Sequence, residues 1–104
     1  MNVNNLFREV KWTYQRVVRG YDDRIFWCMS EYLDPIILAG LKNIREHNHG
    51  YPNGLTQKKW NKVLDKMIVG FSEEPDDIKS MKKYYKAKEQ ALILFAYYYN
   101  DLWD

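Results

Sequence analysis

The chain has 104 residues, of which 46% are hydrophobic, 16% aromatic and 29% charged. That length allows one domain with one modest core, and that apolar share excludes disorder over most of the chain. The formal net charge of +2 is too small to argue by itself for duplex DNA binding.

The first predicted helix runs over about residues 3–18 and stops at Gly20. At about 100° per residue, Val3, Leu6, Phe7, Val10, Tyr14, Val17 and Val18 form one apolar stripe. Trp12 falls on the opposite face, with Arg8 and Arg16 one turn either side and Arg19 nearby. An indole beside guanidinium groups is a platform for a flat or anionic partner. Arg24 joins it if the turn at Gly20 folds back. The structural alternative is a tryptophan packed on another helix, its arginines solvated or paired to Glu9, Asp22 and Asp23.

Asp22 or Asp23 caps a second helical region that lasts to about His47. Asp34-Pro35 interrupts it, as a new cap with proline at the first helical position or as a kink. The region is apolar on two sides. Ile25, Phe26, Met29, Tyr32, Leu33, Ile36, Ile37 and Ile44 form one broad face, and Trp27, Leu38 and Leu41 form another. Such a helix is either central in a bundle or buried between subunits. Gly50 to Gly54 reads as a turn.

Thr56 caps a third helix, about 57–71, whose apolar face is Trp60, Val63, Leu64, Met67, Ile68 and Phe71. An acidic connector around Pro75 leads to a long fourth helix, about 77–102. Its apolar face carries Met81, Tyr84, Tyr85, Ala91, Leu92, Phe95, Tyr98, Tyr99 and Leu102. Lys88 projects into the middle of that face, where an ammonium needs a partner, and Asp34 is available. A lysine there is either a phosphate ligand in a Tyr-rich pocket that includes Tyr84, or a snorkelling or ion-paired structural residue. Lys79, Lys82, Lys83 and Lys86 lie on the outer face, as a solvated cluster or a steering patch for an anionic partner. The expected fold class is all-α, a small bundle of four to five helices with a long last helix, in a single domain 1–104.

All five Arg lie within residues 1–45, whereas nine of the eleven Lys follow residue 57. The halves therefore differ in recognition chemistry: arginine grips anions in a bidentate way, lysine acts as a point charge. Cys28 is the single cysteine, so no intramolecular disulfide can form, and an inert buried thiol is expected. No signal peptide or membrane span is expected, which points to the cytoplasm. His47-Asn48-His49 spells HNH without the ββα-metal unit that nucleases of that name require; helix C-terminal histidines favoured by the dipole are the simpler reading. Asp22-Asp23 and Asp76-Asp77 are explained by capping. Without a glycine-rich phosphate loop, a zinc spacing or a nucleophile arrangement, neither an enzyme nor a metal or other cofactor is expected.

Several segments resemble a family of small uncharacterised proteins of tailed bacteriophages. They are Trp12-Thr-Tyr-Gln-Arg16 with Arg19-Gly20, Asp23-Arg24 with Trp27, Gly54-Leu-Thr-Gln with Trp60, Leu64-Asp-Lys-Met-Ile68, and Leu94 to Trp103. The resemblance implies expression in an infected bacterial cytoplasm and supplies no catalytic residues. Small phage accessory proteins commonly act by binding, whether by blocking a host protein or by sequestering a signalling molecule of host defence. The leading expectation is a homo-oligomer that captures an anionic, nucleotide-like ligand. Trp12 and Tyr84 would stack on it, while Arg8, Arg16, Arg19, Arg24 and Lys88 hold phosphates. The alternatives are an inhibitor that binds a host protein, and a weak nucleic-acid binder.

Overall fold

The computed structural model describes residues 3–48 and 50–103. It is all-α: α1 (Val3–Arg19), α2 (Arg24–Trp27), α3 (Met29–His47), α4 (Gln57–Gly70) and α5 (Ile78–Tyr98), closed by a 3-10 turn (Tyr99–Asp101). The described residues form no strand. None of their helices is long and apolar enough to cross a membrane. The chain divides into two compact units, Met1–Leu33 and Asp34–Asp104.

In the second unit, α4 begins where Thr56 accepts the Lys59 N–H at 3.2 Å, and α5 where Asp77 accepts the Ser80 N–H at 3.2 Å. Both side chains satisfy amides that the first helical turn leaves without partners. The core is Leu41, Trp60, Leu64, Met67, Phe71 and Ala91. It follows the apolar periodicity of α4, whose inward residues bury against α5 and Leu41. The Trp60 ring meets Tyr98 edge-on at 5.3 Å and Phe71 meets Phe95 at 5.6 Å, geometries that match ring edges to ring faces. Gly70 lets the two helices close: a Cβ there would come within 2.5 Å of the Ala87 carbonyl oxygen. Arg45 Nε of α3 donates to Asp65 Oδ1 of α4 at 2.8 Å, and Asn48, Gln57 and Asn61 share amide hydrogen bonds at the start of α4.

Three expectations change in the structure. The interruption in the second helical region falls at Cys28, which is extended (φ −156°, ψ 102°), and Pro35 lies inside α3. Proline removes the N–H that would bond the Glu31 carbonyl, but both residues are exposed, so water can take that bond. Cys28 is exposed rather than buried, its Sγ 3.5 Å from Ser30 Oγ. Tyr85 and Leu92 of α5 and Tyr99 of the 3-10 turn are exposed, because they sit at the margin of the apolar face and turn past it. His49 lies outside the described residues; His47 Nδ1 is 3.1 Å from the Asn43 carbonyl oxygen, as a residue of the last helical turn.

Within Met1–Leu33 the faces of α1 are reversed with respect to hydrophobicity. The stripe Val3, Leu6, Phe7, Val10, Tyr14, Val17 and Val18 is 53–80% exposed, whereas Trp12 is half-buried. Gly20, at φ +84°, ends the helix in a conformation that other residues adopt only with strain, and its N–H bonds the Arg16 carbonyl at 2.9 Å. The chain then turns back along the polar face of α1.

Candidate functional site

The reversal at Gly20 carries Asp22, Asp23 and Arg24 onto the Trp12 face. Asp22 is fully buried and collects four donors. Arg16 Nη1 and Arg24 Nη2 reach Oδ2 at 2.7 and 2.8 Å; Arg24 Nε and the Arg24 backbone N–H reach Oδ1 at 3.0 Å each. The Asp22 N–H donates to the Tyr32 hydroxyl at 3.3 Å. The Arg24 guanidinium holds the Asp22 carboxyl well below the usual carboxylate range; burial opposes this, and Arg16 adds to it. By the same bonds Asp22, against the effect of burial, raises the affinity of Arg24 for its proton.

Arg24 also lies over aromatic rings. Its guanidinium carbon is 4.5 Å from the Trp12 centroid and 6.0 Å from that of Tyr32. Trp12 in turn meets Trp27 edge-on at 5.6 Å. The indole is therefore one layer of an Arg24–Trp12–Trp27 arrangement. Such contacts orient the guanidinium that grips Asp22.

Asp23 is the second anchor. Gln15 Nε2 donates to Oδ2 at 2.8 Å, and Gln15 Oε1 accepts the Asp23 N–H at 2.9 Å. Arg19 Nη2 reaches Oδ1 at 2.6 Å, and Lys11 Nζ lies 3.4 Å from Oδ2. Gln15 first, then Arg19 and Lys11, hold the carboxyl below its ordinary value against desolvation. Arg19 also donates to the Tyr21 carbonyl at 3.1 Å and packs over the Tyr21 ring at 4.6 Å.

The structure thus gathers Trp12, Arg16, Arg19 and Arg24 around two carboxylates of the same unit. Arg8 is exposed and makes no ion pair among the described residues. Tyr84 and Lys88 belong to the other unit, where the sequence expectation for Lys88 has a definite partner. Lys88 Nζ donates to Asp34 Oδ2, with only 14% and 22% of the two side chains exposed. Its ammonium also lies 5.0 Å from the Phe71 ring and 5.4 Å from that of Tyr84. Desolvation pulls the Lys88 pKa down, but Asp34 and Tyr84 outweigh it and the net shift is upward. The ammonium stays charged, with the Asp34 carboxylate as its counterion.

Gln15, Trp27 and Tyr32 also belong to the Trp12 constellation; periodicity places Trp27 and Tyr32 on the apolar faces of the second helical region and assigns neither of them, nor Gln15, to this site. The Asp22-Asp23 pair was the available signal, because a carboxylate pair two residues past a helix-ending glycine can fold back onto that helix. Among the described residues, no three His, Cys, Asp or Glu side chains converge as metal ligands. No protein family, curated protein or solved structure matches the chain.

Proposed function

We propose that the protein is a non-catalytic accessory that acts by docking on an acidic, partly apolar surface of another protein through the outer face of α5. One observation carries this reading: a basic row is followed along that face by an exposed apolar pair, one of them a tyrosine. Lys79, Lys82, Lys83 and Lys86 are exposed and form no ion pair among the described residues. Farther along the same face of the helix, Ile93 and Tyr97 are exposed. Lysines without counterions speed encounter with an acidic surface, and buried Tyr and Trp supply most of the affinity of many interfaces.

Capture of a small anion is less well supported. Arg16, Arg19 and Arg24 already spend donors on Asp22 and Asp23, so a phosphate at Trp12 would have to displace a buried carboxylate. Nucleic-acid binding is disfavoured by the low net charge and by the aliphatic Ile93 within the patch. The resemblance to tailed-phage proteins would make the partner a protein of the infected bacterium.

The test is affinity capture from bacterial lysate with three immobilised forms: the native chain, a Lys83→Glu/Lys86→Glu/Tyr97→Ala variant, and Trp12→Ala. The expected result is one stoichiometric acidic protein, held by the native and Trp12→Ala forms. The α5 variant should bind it at least about 30-fold more weakly, as loss of a hot-spot residue worth about 2 kcal/mol implies. Equal capture by the α5 variant overturns the reading. So does micromolar binding of a nucleotide that Trp12→Ala abolishes.

A further inference from the structure

We propose that the exposed stripe of α1 is the seam of a homodimer, in which α1 of one copy packs on α1 of a second. This goes beyond the α5 reading and does not depend on it. Three observations lead here.

The first is that the described residues of the Met1–Leu33 unit form no apolar interior of their own. Its one fully enclosed side chain among the described residues is the carboxylate Asp22, while the stripe of α1 and Phe26, Trp27 and Met29 remain exposed. Segments below about 40 residues rarely stand without a disulfide, a metal or association. A disulfide within the chain is impossible with Cys28 alone, and the described residues hold no metal cluster. Association remains.

The second is area. Taking about 150 Å² for each exposed aromatic and about 100 Å² for each aliphatic, the seven stripe residues offer about 800 Å². That equals the share each partner contributes to a standard protein interface, about 800 Å². The stripe runs the length of a 17-residue helix, about 25 Å.

The third is the pattern. Val3, Phe7, Val10, Tyr14 and Val17 recur at alternating steps of four and three, the 3.5-residue repeat of two helices wound on each other. The seam is flanked by Asn4, Leu6, Lys11, Thr13 and Val18. Lys11 is the one charge among these, and it is drawn to Asp23 of its own unit. Helices that select a different chain carry complementary charges at those flanking positions. A neutral apolar seam is complementary to its own copy, the geometry of an isologous interface.

The test uses the full chain. Sedimentation equilibrium at tens of micromolar should give twice the 12.6 kDa chain mass. Phe7→Glu/Val10→Glu should be monomeric, its dissociation constant raised at least 100-fold, whereas Tyr97→Ala/Trp103→Ala should remain dimeric. As a check that does not rely on charging the helix, Val10→Cys in a Cys28→Ser background should oxidise to a cross-linked dimer of native helicity. A monomeric native chain overturns the proposal, and amide protection of α1 in that monomer would assign the stripe to its own chain. A dimer that survives the glutamates, or that Val10→Cys does not cross-link, overturns it as well and places the interface elsewhere.

Discussion

A charged group removed from water must be neutralised where it stands, and two sites here do so in different ways. Asp22 collects two guanidinium groups and a backbone amide; Lys88 has one carboxylate and two ring faces. The Lys88–Asp34 pair reaches solvent at its edge, so its rupture is less severe than that of a sealed pair. Lys88→Met should destabilise the chain by about 1–2 kcal/mol, because it leaves Asp34 half-enclosed without a cation. Adding Asp34→Asn to Lys88→Met should recover most of that loss in urea unfolding; no recovery would show that the two residues act separately. This pair is legible in the sequence, since a lysine on an apolar helical face demands a counterion and Asp34 also projects toward an apolar surface of its helix. The role of Asp22 was only half legible. The expected cap is split between the pair: Asp23 stands at the N-cap of α2 without a side-chain cap bond, and Asp22 accepts the Arg24 N–H; the burial of Asp22 depends on the reversal at Gly20, which periodicity cannot supply.

Single helices follow their periodicity only where another element meets them. The apolar face of α4 is legible from spacing because α5 covers it, and Gly70 sits where there is no room for a side chain between the two helices. Gly70→Ala should therefore cost about 1–3 kcal/mol, despite the higher helix propensity of alanine, through collision with Ala87 and Ala91. Thermal unfolding measures it, and an unchanged or higher Tm would show that the two helices separate without penalty. The stripe of α1 was equally regular in sequence, yet it faces outward. Hydrophobic spacing specifies a face and says nothing about what covers it. The second helical region shows a different limit: Pro35 starts no new helix, because an exposed carbonyl can exchange its lost helical bond for water, while the break at extended Cys28 carries no sequence signal.

At the scale of the molecule, the two units are stabilised by different forces. Among the described residues, Asp34–Asp104 is organised around buried apolar side chains and Met1–Leu33 around carboxylates. The helical class and the four helical regions are legible in periodicity and caps, whereas the difference between the two units is not: the Arg-rich first half and the Lys-rich second half differ in charge chemistry without showing which of them closes around a carboxylate. Acid separates the two. Asp22 and Asp23 titrate below their ordinary values when folded, so their contribution is complete above the unfolded carboxylate value of about 3.9 and is lost as pH falls below it. Amide exchange between pH 7 and pH 2 should show α1 and α2 constant down to about pH 4 and then opening, with α4 and α5 still protected. An α1 that keeps its protection at pH 2 would remove the two carboxylates from its stability.

The buried carboxylate of the first unit has a calorimetric consequence. Unfolding raises heat capacity mainly by exposing apolar surface, and exposing polar surface lowers it. A segment closed by ion pairs while its valines already face water has little apolar surface left to expose. Its stability should vary only gently with temperature, and the heat-capacity signature written in its sequence would emerge when two stripes meet, in association rather than in folding.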